Sequence, residues 1–263
     1  MPNIKTESGI DWFYRIEGEG EPLVFLHGWS FDSNIWFRQI GGLHGYKSIV
    51  LDLPGHGNSG YKEGVDIVSD LYFIFEELGL SRISLIGHSF GGLLGLKFVL
   101  AYPGLVDKII LIGTNAKFVK SDGYSYGLSQ AEVDKLRGFI RGNYPDILLV
   151  FMRWLFTEEE RRQSDYRQAW DSIAKRNSWP QKDALDEFLS AIEQEDLTNE
   201  LNKIILPALI VCGTGDPICP VESVNYIGEK LKRSKAELFE GCGHLPFLTK
   251  AEKFNDLIRK FLK

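Results

Sequence analysis

Residues Leu85–Gly95 read LIGHSFGGLLG, and how these residues are read decides the fold. The run Arg82–Gly87, RISLIG, is continuously apolar, as in a strand buried on both faces of a parallel sheet. From Gly91 an apolar helical pattern runs to Pro103, which stops it. Ser89 therefore stands at a sharp strand-to-helix turn, between Gly87 and Gly91 in the pattern G-x-S-x-G. Such a corner strains the serine backbone and lifts its hydroxyl clear. It also sets the first helix amide, that of Phe90, beside any anion that forms there, and the helix dipole adds positive potential. A tight turn that merely contains a serine would look the same in isolation, so the surroundings decide.

Outward from the corner, short β-like runs alternate with helical patterns. Ile10–Ile16, Pro22–Gly28 and the start of Tyr46–Gly57 read as strands, and Val65–Leu80 as a helix. Val106–Gly113 is a strand. Strand and helix signals resume with Pro207–Asp216, Val221–Leu231, Ala236–Gly241 and a closing helix at Ala251–Leu262. The alternation predicts an α/β fold, a mostly parallel sheet covered by helices on both faces. Between residues 115 and 195 no strand signal is convincing, and helical patterns rich in aromatics fill the stretch. Residues 1–114 and 196–263 are thus expected to form the core and 115–195 an inserted helical cap.

A serine hydroxyl needs a base, and a histidine base needs an orienting acid. His244, in EGCGHLPF, follows the last expected strand and falls on the same sheet edge as Ser89. His27 and His56 also lie at strand ends but read as loop-packing residues, His88 adjoins the serine too closely to reach its hydroxyl, and His44 has no motif. Asp216, in CGTGDPICP, ends the loop after the preceding strand, and would accept from the imidazole. Its plainer reading is a helix cap. The stretch LHGWS, Leu26–Ser30, turns at Gly28 and would present the amide of Trp29 as a second anion donor beside that of Phe90. The order Ser89, Asp216, His244 completes a nucleophile, acid and base set.

Composition limits the rest. The chain has 263 residues, 44% of them hydrophobic and 25% charged, with a net charge of −6. That balance gives no reason to expect nucleic-acid binding. No apolar run reaches the ~18 residues needed to cross a membrane, and the N-terminal residues lack a signal-peptide pattern. Cys212, Cys219 and Cys242 cannot all pair and fit no zinc spacing. A reducing, cytoplasmic setting with no metal or organic cofactor is expected.

With HGW, DLPGHGNS, GHSFGG, GTGD and GCGHLPF all in place, the chain resembles the α/β-hydrolase superfamily over nearly its whole length. Through LHGWSFDSNIW, TNAKF, the stretch LRGFIRGNYPDILLVFMRWLFTEEE and HLPFLTKAEKF, it is most similar to the BioH-type carboxylesterases of biotin synthesis. The resemblance implies a serine esterase acting through an acyl-enzyme on the methyl ester of pimeloyl-[acyl-carrier protein]. Other members would be a general short-chain carboxylesterase, a lactonase or a carbon–carbon bond hydrolase. A receptor that kept the pocket without turnover is the reading from another class. His88 and Phe90 depart from the Trp and Leu seen at those places in some members, which bears on pocket shape. Trp29, Phe139, Phe151 and Trp154 are the expected substrate-lining aromatics. Lys135–Lys182 holds ten Lys/Arg and six Asp/Glu, an excess of four positive charges. Within it Arg137, Arg141, Arg153, Arg161 and Arg162 are candidates to meet an acidic carrier protein. A solvated helical face would carry the same charges.

Overall fold

Short runs of branched and aromatic residues set the sheet. The computed structural model describes residues 2–176 and 178–263. The runs become β1 (Asn3–Lys5), β2 (Asp11–Glu17), β3 (Glu21–Leu26), β4 (Tyr46–Leu51), β5 (Ile83–His88), β6 (Val106–Ile112), β7 (Ala208–Gly213) and β8 (Ser234–Phe239). They form one sheet in the order β1-β2-β4-β3-β5-β6-β7-β8. β1 and β2 pair antiparallel, as do β2 and β4, and every pairing from β4 across to β8 is parallel. The central strands are buried on both faces (Leu23–Leu26, Ile109–Ile112 and all of β7), as their unbroken apolar runs require. β1 has no sequence signal. Three residues are too few to show an alternation, and Ile4 is held by pairing opposite Trp12.

The helices are α1 (Phe37–Ile40), α2 (Ile67–Glu77), α3 (Phe90–Ala101), α4 (Gln130–Asn143), α5 (Asp146–Trp154), α6 (Ser164–Ala174), α7 (Lys182–Gln194), α8 (Val221–Lys230), α9 (Pro246–Thr249) and α10 (Ala251–Leu262). Asp66 starts α2 by accepting from the amides of Val68 and Ser69. α3 is apolar nearly all round and lies in the interior, with Leu93, Leu96 and Phe98 fully buried. α10 spans the residues expected of it and packs Phe254, Ile258 and Leu262 into the core.

Four helices, α4 to α7, lie between β6 and β7. Residues 115–129 ahead of them are not helical as expected. They form an irregular arm with isolated bridges, Val119 with Leu128 and Ser121 with Tyr124. The two ends of the insertion are pinned together, because Lys117 bridges to Asp196 and Leu197 N donates to Ala116 O at 2.9 Å. A capping box of Ser129 and Glu132 then starts α4. No helix among the described residues is long and apolar enough to cross a membrane.

Candidate active site

Sheet register brings the candidate residues together. Leu26 pairs with Gly87, so the loops leaving β3 and β5 emerge side by side at one sheet edge. Chain order reverses across β3, since β4 lies on one side of it and β5 on the other. Such crevices are where open α/β sheets place their sites. Farther along the same edge Gly213 pairs with Phe239, which sets the loops carrying Asp216 and His244 next to one another.

At the corner after β5, Ser89 has φ 53° and ψ −118°, a backbone region that non-glycine residues rarely enter. Strain of this kind costs on the order of 1–3 kcal/mol. The corner is held by Ser89 N donating to Ile112 O at 2.8 Å and by α3 behind it. Gly91 makes the close approach work, since a Cβ there would stand 2.3 Å from Leu26 O and 2.5 Å from His27 O.

His244 is 3% exposed, and its Nδ1–H donates to Asp216 Oδ2 at 2.7 Å. This leaves Nε2 as the ring nitrogen able to take a proton. The other carboxylate oxygen of Asp216 accepts from the amides of Ile218 and Cys219 at 2.8 and 2.9 Å. One oxygen thus orients the histidine while the other closes the local turn at Ile218 and Cys219; the helix-cap reading does not hold, because Pro220 precedes α8 and no side chain caps that helix. Gly113 lies beneath the pair at φ 52°, and a Cβ there would come within 2.8 Å of the His244 ring. Ser89 and His244 line the same cavity, but no hydrogen bond joins their side chains in this structure. Catalytic contacts of this sort commonly tighten only with substrate bound.

His88 turns away from the serine and underpins the histidine loop. It is fully buried, and its Nε2–H donates to His244 O at 3.1 Å. Burial, and then the neighbouring His244, push its pKa well below the usual imidazole value, so the ring is neutral. Its other nitrogen, Nδ1, is buried without a partner.

The loop after β3 is fixed from both sides. His27 Nδ1–H donates to Gly28 O at 2.9 Å, and Nε2 accepts from Leu53 N at 2.8 Å. Burial lowers the His27 pKa to about 4. Burial, and then His27, lower that of His56 to about 3. These two are the packing residues the sequence implied. Trp29 Nε1 donates to Leu185 O of α7 at 3.0 Å. Ser30 takes φ 68°, and its carbonyl accepts from Arg176 at 2.8 Å. The Arg176 guanidinium also stacks over Trp179 at 4.8 Å. The amide of Phe90 opens α3, where an amide has no carbonyl of its own helix to meet.

Of the expected substrate-lining aromatics, Trp29 and Phe151 reach the cavity that holds Ser89 and His244, a space of about 30 Å³. Phe139 and Trp154 do not. They line an outer apolar groove of about 350 Å³ between α4 and α5 and remain partly exposed. Leu128, Leu136, Phe151 and Ile218 wall both spaces, so the groove adjoins the cavity.

The arginines separate too. Arg137 is turned inward and paired with Asp186 and Glu193 of α7, so it clamps α4 to α7 and does not face solvent as a docking residue would. Arg153 and Arg162 are exposed and Arg161 is half-buried. Arg141 is exposed, with one long contact of 3.4 Å to Asp186.

Among the described residues, one group of ligand-type side chains is close enough to hold a metal ion: Cys212, Asp216 and Cys219, whose ligand atoms lie within 4.8 Å of one another. Their present bonding is that of thiols. Cys212 donates to Gly213 O and Cys219 O, both at 3.1 Å, and Cys219 donates to Asn115 Oδ1 at 2.9 Å. The hydrogen bond with Cys219, together with burial, pushes the Cys212 thiol up, whereas a metal ligand must be a thiolate. All three cysteines are free and buried.

Fold, strained corner and converging loops together define a class. The α/β-hydrolase fold family matches residues 21–251, and the chain belongs to it. The chain is 30% identical to the AB hydrolase superfamily protein YisY of Bacillus subtilis, over 98% of this chain and 97% of that one. It is 28% identical to the pimeloyl-[acyl-carrier protein] methyl ester esterase of Aeromonas salmonicida, over 93% of this chain and 96% of that one. An esterase from Exiguobacterium antarcticum superposes with a TM-score of 0.90 at 30% identity, covering 99% of each chain.

Sequence reasoning missed two residues here, Glu160 and Arg176. Glu160 is fully buried although it ends the acidic run Glu158–Glu160, which reads as surface. Arg176 is one of many cap cations, and nothing in the pattern marks it as the one that turns inward.

Proposed function

We propose that this protein is a serine carboxylesterase. Ser89 attacks the ester carbonyl, and His244 Nε2 takes its proton. Asp216 holds the imidazole through Nδ1 and stabilises the imidazolium that forms. The oxyanion is bound by the amides of Trp29 and Phe90, each such donor being worth on the order of 3 kcal/mol in barrier. His244 then protonates the departing alcohol. Water, activated by the same ring, releases the acid from Ser89. The carrying observation is the 2.7 Å bond between His244 and Asp216, set on the wall of the cavity that the strained Ser89 opens into.

For the substrate we infer the methyl ester of a pimeloyl chain carried by acyl carrier protein. Three things support this reading. The space beside Ser89 is small and suits a methoxy group, while the adjoining groove is apolar and suits a methylene chain. Arg141, Arg153, Arg161 and Arg162 offer positive charge to an acidic carrier. The relative from Aeromonas salmonicida carries that substrate in its name. The test is hydrolysis of pimeloyl-[acyl-carrier protein] methyl ester beside a chain-length series of free methyl and p-nitrophenyl esters, with complementation of a biotin-requiring strain lacking its own methyl esterase. The carrier-linked ester is expected to be cleaved and growth restored. Cleavage of short free esters alone, without growth, would leave a general carboxylesterase.

A further inference from the structure

Glu160 takes no part in the chemistry above, yet its carboxylate lies in the interior with 0% exposure. Such a group is costly to bury unless its oxygens are met by donors. Here they are. Oε2 accepts from Gly243 N at 2.8 Å and from Thr157 N at 2.9 Å, and Oε1 accepts from the Thr249 hydroxyl at 2.5 Å. Gly243 and Thr249 lie on either side of His244 along the chain. The same stretch makes two further ties, because His244 N donates to Leu155 O and Thr157 Oγ1 donates to Gly241 O, each at 2.8 Å.

We propose that Glu160 is a positioning residue for His244, acting through the Gly243 amide before it and the Thr249 side chain after it. The proposal rests on His244 being the base of the esterase reading. The imidazole can rotate about its own side-chain bonds, but where those bonds start is set by residues 243–244, and residues 155–160 hold that backbone. The histidine loop is thus fixed from two directions: His88 holds the His244 carbonyl from the core, and Glu160 and Leu155 hold Gly243 and the His244 amide from the inserted segment.

The experiment compares wild type, Glu160→Ala, Glu160→Gln and Thr249→Val. Each is measured for kcat and KM on a p-nitrophenyl ester, for thermal midpoint, and for the rate at which diethyl p-nitrophenyl phosphate modifies Ser89, located by peptide mass. Wild type is expected to be modified at Ser89. Its failure would remove the esterase reading and this proposal with it. Glu160→Ala is expected to keep KM, lose about 10- to 100-fold in kcat and lose the same factor in phosphorylation rate. Glu160→Gln keeps an oxygen for the two amides and can donate to the Thr249 hydroxyl, so it is expected within about threefold of wild type. Thr249→Val removes one tie and is expected to fall between them, which keeps the test decisive if Glu160→Ala does not fold. Wild-type kcat and phosphorylation rate in folded Glu160→Ala or in Thr249→Val, with only the thermal midpoint lowered, would overturn the proposal.

Discussion

Gly113 is where a single methyl group tests the geometry most sharply. It has φ 52° and lies under the His244 ring, so Gly113→Ala strains the backbone and drives a carbon against Cε1 and Nδ1. The variant is expected to lose on the order of 100-fold in kcat with KM little changed, read by steady-state ester hydrolysis. A full-rate variant would mean that the His244–Asp216 contact does not matter. His27 and His56 make a second prediction. Both are buried neutral, with pKa values lowered to about 4 and about 3, against 6.5 in the unfolded chain. The unfolded state therefore binds protons first as pH falls, and stability is lost from about pH 6.5 downward. At pH 5 the two together should cost roughly 4 kcal/mol relative to pH 7.5, measured by urea unfolding at the two values. His56→Asn should flatten that slope. A stability that stays level from pH 7.5 to 5 would contradict the assignment.

Among the elements, the loops after β3, β5, β7 and β8 carry the candidate site, and the inserted segment holds two of them in place. Arg176 reaches from beyond α6 to Ser30 O, just after the Trp29 amide. Arg176→Met keeps the bulk, removes that donor, and is expected to lower kcat about tenfold with a smaller effect on KM. An unchanged kcat on p-nitrophenyl acetate would show that the Trp29 loop holds its shape alone. Much of this level was legible beforehand, because Ser89 and Asp216 each follow an apolar run and His244 follows the shorter strand signal Ala236–Gly241, and parallel strands put such ends on one edge. Glu160, Arg176 and Arg137 were not legible. A charge that turns inward has the same local pattern as one that faces water, and only the packing of α4 against α7, or of residues 155–160 against the His244 loop, tells them apart. Residues 115–129 misled for a related reason: a lack of strand pattern does not make a helix, and this arm is held by single bridges.

Over the whole molecule, charge and shape divide the work. The chain carries −6 overall, yet the stretch Lys135–Lys182 is net positive, and α4 and α5 flank the apolar groove that adjoins the cavity at Ser89. On the proposed reading, an acidic carrier would meet the exposed Arg153 and Arg162, and its chain would lie along the groove. Reversing Arg153 and Arg162 to Glu is therefore expected to raise KM for a carrier-linked ester about tenfold or more at low salt, and to leave a free methyl ester unaffected. Equal effects on both substrates would remove the arginines from docking. The central claim is that one hydroxyl carries the acyl group. Rapid acid quenching during turnover of a p-nitrophenyl ester, followed by peptide mass analysis, tests it most directly. The account predicts an acyl mass on the peptide containing Ser89, absent in Ser89→Ala. Undiminished turnover in Ser89→Ala, or an acyl group found on another residue, would contradict it.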